Sequence, residues 1–593
     1  MEIASDQKPT MKQLERVSIR RGGMRTMPFV IANETFEKVA SVGLNANMIL
    51  YLMYEYHLDS ANGASILFLW GAISNFMPII GAFLSDSNLG RFRVISMGTI
   101  VTLIGMVVLW LTSIVKQAQP PECNIFKEKC KPATEAQLGL LFSSFVLMSI
   151  GAGGIRPCSL AFGADQFDRP DNPKNARILQ SFFNWYYASV GVSLIISVTL
   201  IVYIQDEFGW VVGFGVPVGL MFLSTVFFLL GAPLYVKVKA NKSLFTGFAQ
   251  VIAASFKNKH LALPPKNSDG WYHHTKGSKL VVPTERLRFL NKACIIKNSE
   301  SDLNSDGSAK EPWNLCTVQQ VEALKALLKV IPIWSSGIMI AVTISQNSFP
   351  VLQARTMDRH LTSKFKIPAA SFGVFAILTL TIWVGFYDRV VVPLMARFTR
   401  HKRGLSLKTQ MGIGLVISCI ATAVAGWVES MRRARAINEG LRDQKEAIVN
   451  MSAMWLIPQH CLFGLAEGFN AIGQINFYYA QFPKSMASIG VALFTLGMAI
   501  GNLMGSVIVD AINSITKAEG KDSWVANNLN RGHYDYYYWI LSLLSVVNFF
   551  YYLLCSWIYG PEERTVWDEG NSTKEEDINE VISMSPITIA NTM

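Results

Sequence analysis

From Val94 to Val115 the chain reads VISMGTIVTLIGMVVLWLTSIV, with no charged residue, between Arg91 and Arg93 on one side and Lys116 on the other. An α-helix crossing a bilayer needs about 20 predominantly apolar residues, and this stretch supplies them. Comparable runs recur along all 593 residues. Hydropathy and helix breakers predict twelve spans: about 28–54, 63–85, 92–115, 137–162, 178–204 and 209–236, then 323–348, 369–397, 408–428, 451–480, 485–514 and 535–559. The composition agrees. The chain is 51% hydrophobic and only 16% charged, with mean hydropathy +0.29, against about 25% charged in soluble domains. These values exclude disorder and small disulfide scaffolds, and predict an all-α polytopic membrane protein.

The net charge of +11 is read as Lys and Arg in cytoplasmic loops rather than as a nucleic-acid surface. The N-tail holds Lys8, Lys12, Arg16, Arg20, Arg21 and Arg25; loop 2–3 has Arg91 and Arg93; loop 4–5 has Arg169, Lys174 and Arg177; loop 8–9 has Arg397, Arg400, Lys402 and Arg403. Loops 1–2 and 5–6 have none. With an even span count, both termini are expected in the cytoplasm. Loop 9–10 conflicts, being basic (Arg432, Arg433, Arg435, Arg442, Lys445) on the side predicted to lie outside. No cleavable signal is expected, because the N-terminus is a basic polar tail and span 1 carries charges. The eight Cys show no metal or dithiol spacing. Whether Cys123 and Cys130 pair is left open.

The expected organisation is an N-tail (1–27), a six-helix bundle (28–236), a cytoplasmic linker (237–322), a second six-helix bundle (323–559) and an acidic C-tail (560–593). In the linker, Ser243–Lys259 has an amphipathic pattern and Thr317-x-x-Gln320 reads as a capping box before span 7. The linker shows no nucleophile–base pair, phosphate loop or metal set, so an enzyme is not expected. A weak repeat relates the halves: span 2 runs through Gly81, Asp86, Gly90, Arg91 and Arg93, and span 8 ends in Gly385-Phe386-Tyr387-Asp388-Arg389. Asp86 with Arg91 and Asp388 with Arg389 are expected to form a cytoplasmic clasp in each half. Two six-helix halves with a central linker is the major facilitator plan, whose substrate site lies near the midplane.

A charge at mid-helix costs about 2.5–3.5 kcal/mol on the insertion scale, so it faces the protein interior or water. Span 1 contains Glu34, Glu37 and Lys38 on one helical face, with Glu34 and Lys38 in the favourable i, i+4 order. A structural pair needs two charges, not three, so the cluster is read as proton-coupling. Span 4 carries Gly153-Gly154-Ile155-Arg156-Pro157, read as a loosened helix around a guanidinium able to grip an anion or carboxylate. Pairing of Arg156 with Glu34 or Glu37 is the alternative. Span 10 places Glu467 among aromatics and glycines, as a second protonation or substrate contact. His460, on roughly the same face, is assigned no role. Gln346 in span 7, with Ser335, Ser336, Thr343 and Asn347, offers uncharged contacts, while Tyr187 and Trp334 are candidate pocket walls. Gly497, Gly501 and Gly505 form a strip for close helix contact in span 11.

With these residues in view, the chain from about Arg25 to Tyr559 resembles the plant nitrate/peptide transporter family, a branch of the proton-coupled oligopeptide transporters. The resemblance is carried by the Glu34–Lys38 cluster, the Gly81–Arg93 corner, GGIRPCSLAFGADQFD (Gly153–Asp168), Ser181–Trp185 and Gly473–Pro483. It implies the major facilitator fold, alternating access and proton-driven symport of nitrate, small peptides, hormones or anionic specialised metabolites. It also implies that the span 1 cluster couples protons, that the span 4 basic residue assists coupling and binding, and that Glu467 matches the span 10 acid. Lys38 stands where the pattern has Arg, and Arg156 where Lys is common. That combination looks closer to nitrate and anionic-metabolite carriers than to peptide carriers, so nitrate is the favoured substrate, with a sensor that binds without net transport as a further alternative. Partners are protons, a small anionic or zwitterionic substrate and the lipid bilayer; neither nucleic acid, cofactor nor metal is expected, and oligomeric state is left open. The plasma membrane is expected over the tonoplast.

Overall fold

The structure, a computed structural model, describes residues 21–123, 130–168, 175–238, 244–264, 270–275, 282–399, 405–445, 447–483, 486–517 and 522–560. Lys8, Lys12, Arg16, Arg20, Arg169, Lys174, Arg400, Lys402, Arg403 and the acidic tail lie outside the described residues.

Among the described residues, eight helices are long and apolar enough to cross a membrane, nine with the bent pair Val318–Ser336 and Ile338–Arg355 taken as one span. One of the eight, Arg177–Leu230, is 54 residues long. It turns at Gly209, whose φ of 76° is open to glycine at little steric cost, so it holds spans 5 and 6. Two further helices fall short of the apolar standard. They are Met27–Ala46, continued by Met48–Tyr54, with Glu34, Glu37 and Lys38, and Ile457–Gln481, with Glu467 and buried amides Asn470 and Gln474. Both carry ionisable residues in their interior.

The helix pairing repeats when six is added to each span number. Spans 1·6, 1·5, 3·4, 2·4 and 3·6 pack together, and so do 7·12, 7·11, 9·10, 8·10 and 9·12. The halves meet along spans 2·11, extensively, and 5·8, briefly. The sequence repeat has a structural counterpart too: span 2 ends in a π-helical turn at Ser85–Leu89, and span 8 winds through another at Tyr387–Val391.

Local chemistry places the breaks. The Thr317–Gln320 capping box forms reciprocally. Span 7 then carries Pro332, breaks at Gly337 with a 44° bend, and breaks again around Ser345–Asn347. The amphipathic stretch of the linker is a helix over Leu244–Lys257, packed through Phe248, Val251 and Ala254 into the core at the base of span 7.

Three expectations change. The glycines before Arg156 do not loosen span 4, which is one helix over Glu135–Asp165. They let spans approach: a Cβ on Gly81 would collide with the Gly153 carbonyl, and one on Gly154 would lie 2.8 Å from the Val94 carbonyl oxygen. Span 9 runs ten residues past 428, to Asn438, because Arg432 and Glu429 pair within the helix at 2.7 Å with both side chains 0% exposed. Finally, Arg91 pairs with Asp165 of span 4, at 2.7 Å, rather than with Asp86. Asp86 accepts from Ser85, and Asp388 and Arg389 form no ion pair with each other or with another described residue. The acid of the first corner lies 74 residues from its arginine, too remote for a local motif to reveal. Cys123 and Cys130, left open above, form a disulfide.

Candidate substrate and proton site

Span 1 holds its charges inside the N-terminal bundle, with Glu34, Glu37 and Lys38 only 2%, 0% and 1% exposed. Ser41, one turn on, donates to Glu37 Oε1 at 2.7 Å. Lys38 lies within electrostatic reach of Glu37, Arg156 and Glu34, while Tyr186 and Ser159 stand beside Glu34. Span 5 is shaped to this cluster. Its π turn at Ser197–Ile201 lets Ser197 donate to the carbonyls of Lys38 and Val39, both at 3.3 Å, and Gln205 donates to the Gly43 carbonyl at 3.0 Å. Such turns recur at functional sites.

Beside the cluster a cavity of about 310 Å³ lies between the two bundles. Arg156 borders it from the N-terminal side and Glu467 from the C-terminal side, with Gln346 and the polar break of span 7 on the same wall. Glu34, Glu37 and Lys38 do not border it; they sit behind Arg156. Most of the remaining wall is apolar, including Leu67, Phe68, Ile377, Leu380 and Phe463. Five buried polar atoms without a hydrogen-bond partner belong to residues on this one cavity: Arg156 Nε, Trp70 Nε1, Asn75 Oδ1, His460 Nε2 and Glu467 Oε1. Buried polar atoms are normally satisfied; these five have almost no accessible surface of their own, so they lie within the wall rather than on it.

Other expected contacts lie elsewhere or are already occupied. Trp334 is off the cavity, its indole donating to the Leu493 carbonyl at 2.7 Å and tying span 7 to span 11. Tyr187 belongs to an aromatic cluster with Phe183 and Tyr186 behind the wall. Gln346 borders the cavity, but donates to Val342 and accepts from Tyr537. His460, given no role from sequence, lines it; its one signal was the shared face with Glu467. Among the described residues, no group of His, Cys, Asp and Glu is arranged to hold a metal ion.

Hydrogen bonds and an ion pair between the halves gather at the end opposite the linker. Arg355 Nε donates to Tyr54 Oη at 2.7 Å, and its guanidinium lies 4.7 Å from the Tyr54 ring centroid. Arg359 lies 3.7 Å from Asp206. Asn527 bridges the Ser60 amide and Asp59, and Ser65 donates to Asp510 at 2.9 Å. That end of the cavity is closed.

A family profile described as "POT family" matches residues 92–525. Two Arabidopsis thaliana proteins match over almost their whole length: "Protein NRT1/ PTR FAMILY 1.2", 50% identical over 95% of this chain and 96% of its own, and "Protein NRT1/ PTR FAMILY 1.1", 51% identical over 99% and 100%. The chain belongs to the POT family. Among solved structures, an auto-inhibited POT family peptide transporter superposes with a TM-score of 0.66 at 20% identity, covering 90% of this chain and 96% of that one. The fold is therefore the major facilitator fold, twelve helices in two six-helix bundles. POT members are multi-pass membrane transporters rather than enzymes, and their plant NRT1/PTR branch is the one the span 1, span 4 and span 10 motifs resemble.

Proposed function

We propose that this transporter is a proton-coupled symporter in which Glu34, Glu37 and Lys38 bind and release protons, and Arg156 holds an anion, with nitrate as the substrate. The observation that carries this is the position of Arg156, bordering the cavity on one side and within electrostatic reach of the buried cluster on the other. When the neighbouring carboxylates are charged, they compete for the guanidinium; when they are protonated, it is free to take an anion. Glu467 supplies the acid of the opposite wall.

The linker end is assigned to the cytoplasm, with both termini. Arg91, Arg93, Arg177 and Arg397 lie toward it, and the Cys123–Cys130 disulfide lies at the other end, as an oxidising exterior favours. The basic residues that opposed this orientation are partly withdrawn from the loop, since Arg432 is sealed against Glu429 and Asn530, and Arg433 against Gly532 and His533. The closed end then faces outside. The plasma membrane is the assigned location.

A second reading is favoured by the cavity itself. Its volume of about 310 Å³ and its apolar walls suit a drug-sized organic molecule better than a four-atom anion, so an organic anion remains the alternative cargo at the same Arg156.

The test is electrical. One charge moving through 100 mV supplies about 2.3 kcal/mol, and an anion drawn in with that help must bring more than one proton. In voltage-clamped cells, nitrate at acid external pH evokes inward current that Glu34→Gln or Glu37→Gln abolishes. Unchanged current in both variants removes the coupling assignment. Current with an organic anion but none with nitrate moves the substrate to the second reading.

A further inference from the structure

Two residues on the cavity wall, Arg156 and Glu467, already have a place in the proposed function. A third, His460, borders the cavity apart from both, and its Nε2 has no hydrogen-bond partner in the protein. His460 occupies the first turn of span 10, which begins at Ile457, so it lies toward the closed outer end. Glu467 follows seven residues later, about 20° round the same face and roughly 10 Å deeper. Between these levels the wall is made by side chains such as Phe463, Leu380 and Ile377. An imidazole held in such a place without a protein partner loses its water bonds and gains nothing, unless a ligand restores one. A neutral imidazole offers one donor and one acceptor, so it meets a hydroxyl or a carbonyl equally well. An apolar stretch alone would not call for it.

We propose that His460 is a specificity-determining residue of this transporter: it hydrogen-bonds a second polar group of the substrate, separated by an apolar segment from the anionic group held at Arg156. The cargo class is then an organic anion with a hydroxyl or carbonyl remote from its carboxylate. The proposal rests on reading this cavity as the substrate site and on the second of the two substrate readings. Arg156 grips the charge, the apolar wall accepts the body, and His460 measures the far end.

The test uses the full-length chain in lipid nanodiscs. The probes are straight-chain carboxylates of six to twelve carbons and their ω-hydroxy counterparts, with dissociation constants read from ligand-induced thermal shifts. In the wild type, one chain length shows the hydroxy acid bound about tenfold more tightly than its parent, the scale of one matched buried hydrogen bond. His460→Phe keeps the ring shape and erases that preference, whereas His460→Gln, which retains a donor and an acceptor, restores part of it. Unliganded melting temperature and elution profile check that each variant is folded. A preference that survives His460→Phe, or a wild type with no preference at any length, overturns the proposal. Arg156→Ala separates the levels: it weakens every acid if the cavity is the substrate site. Unchanged binding of all acids in Arg156→Ala brings down the cavity reading and this proposal with it.

Discussion

The contact between Arg355 and Tyr54 joins the end of span 7 to the end of span 1 at the closed end opposite the linker, the outer face in the proposed orientation, and there its removal shifts the carrier toward the outward-open state. Arg355 Nε donates to Tyr54 Oη at 2.7 Å and the guanidinium lies 4.7 Å from the ring centroid. A hydrogen bond to a charged group contributes about 1.5–3 kcal/mol and a partly exposed cation–π contact about 0.5–1 kcal/mol. Both residues are half-buried, so the lower ends apply, giving about 2 kcal/mol in the closed state for Arg355→Ala. That is roughly thirtyfold in the ratio of outward-open to closed carrier. Tyr54→Phe keeps the ring and loses only the hydrogen bond, for roughly tenfold. The assay places a cysteine at Ser345, which borders the cavity, and follows its reaction with a membrane-impermeant thiol reagent added outside, with the parent lacking that cysteine as background. Labelling accelerates in the order Arg355→Ala, then Tyr54→Phe, then the unmodified contact. Equal rates in all three refute a latch at this contact.

Arg156→Ala reduces saturable anion uptake by at least about tenfold, while Arg156→Lys keeps part of it, because Lys retains the charge without the bidentate fork; equal uptake in all three forms contradicts the anion site. Glu429→Gln strands the buried charge of Arg432 and costs about 3–5 kcal/mol, read as a fall in melting temperature that Glu439→Gln, at the exposed pair with Arg435, does not reproduce. Gly81→Ala lowers stability through the Gly153 carbonyl, an overpacking cost of about 1–3 kcal/mol, seen as less folded protein by size-exclusion chromatography. Burial in the linker pushes the Cys294 and Cys316 thiols up to about 12, so neither is modified by maleimide at pH 7 unless the linker opens; mass spectrometry of tryptic peptides decides.

Most spans were legible because apolar length is a one-dimensional signal, and the charge cluster because three ionisable residues in one apolar helix stand out from their neighbours. What the sequence hid was partnership. Arg91 finds its acid at Asp165 on another helix. The basic run after residue 428 read as a loop because nothing local shows that Glu429 and Arg432 are sealed by Gln353 and Asn530. Glycines in Gly153–Gly154 read as flexibility, whereas their reason is the backbone of spans 2 and 3 pressed against them. His460 had too weak a signal to be chosen, because a lone histidine gains meaning only when the cavity it borders and the missing partner at its Nε2 are both known. Tyr187 and Trp334 illustrate the converse: aromatic residues on an inward face read equally as wall or as packing, and here they pack.

The two halves share a fold but not a charge distribution, and this asymmetry constrains how the proposed cycle can work. The N-terminal bundle buries Glu34, Glu37 and Lys38 in span 1. The matching span 7 buries Glu322 and Lys325 as a pair at 2.7 Å toward the linker, but at the cavity it offers neutral groups, and Gln346 already spends its amide on Val342 and its carbonyl on Tyr537. Because the span 1 acids do not border the cavity, a substrate held there does not need to touch a coupling carboxylate. Two residues join them: Arg156 belongs to the cavity and to the field of the cluster at once, and Ser41 lines the cavity while donating to Glu37. In the proposed cycle, protons and cargo are linked through competition for the Arg156 guanidinium. Direct contact between cargo and a span 1 carboxylate would instead require Glu34 or Glu37 on the cavity wall, where Glu467 is the acid present.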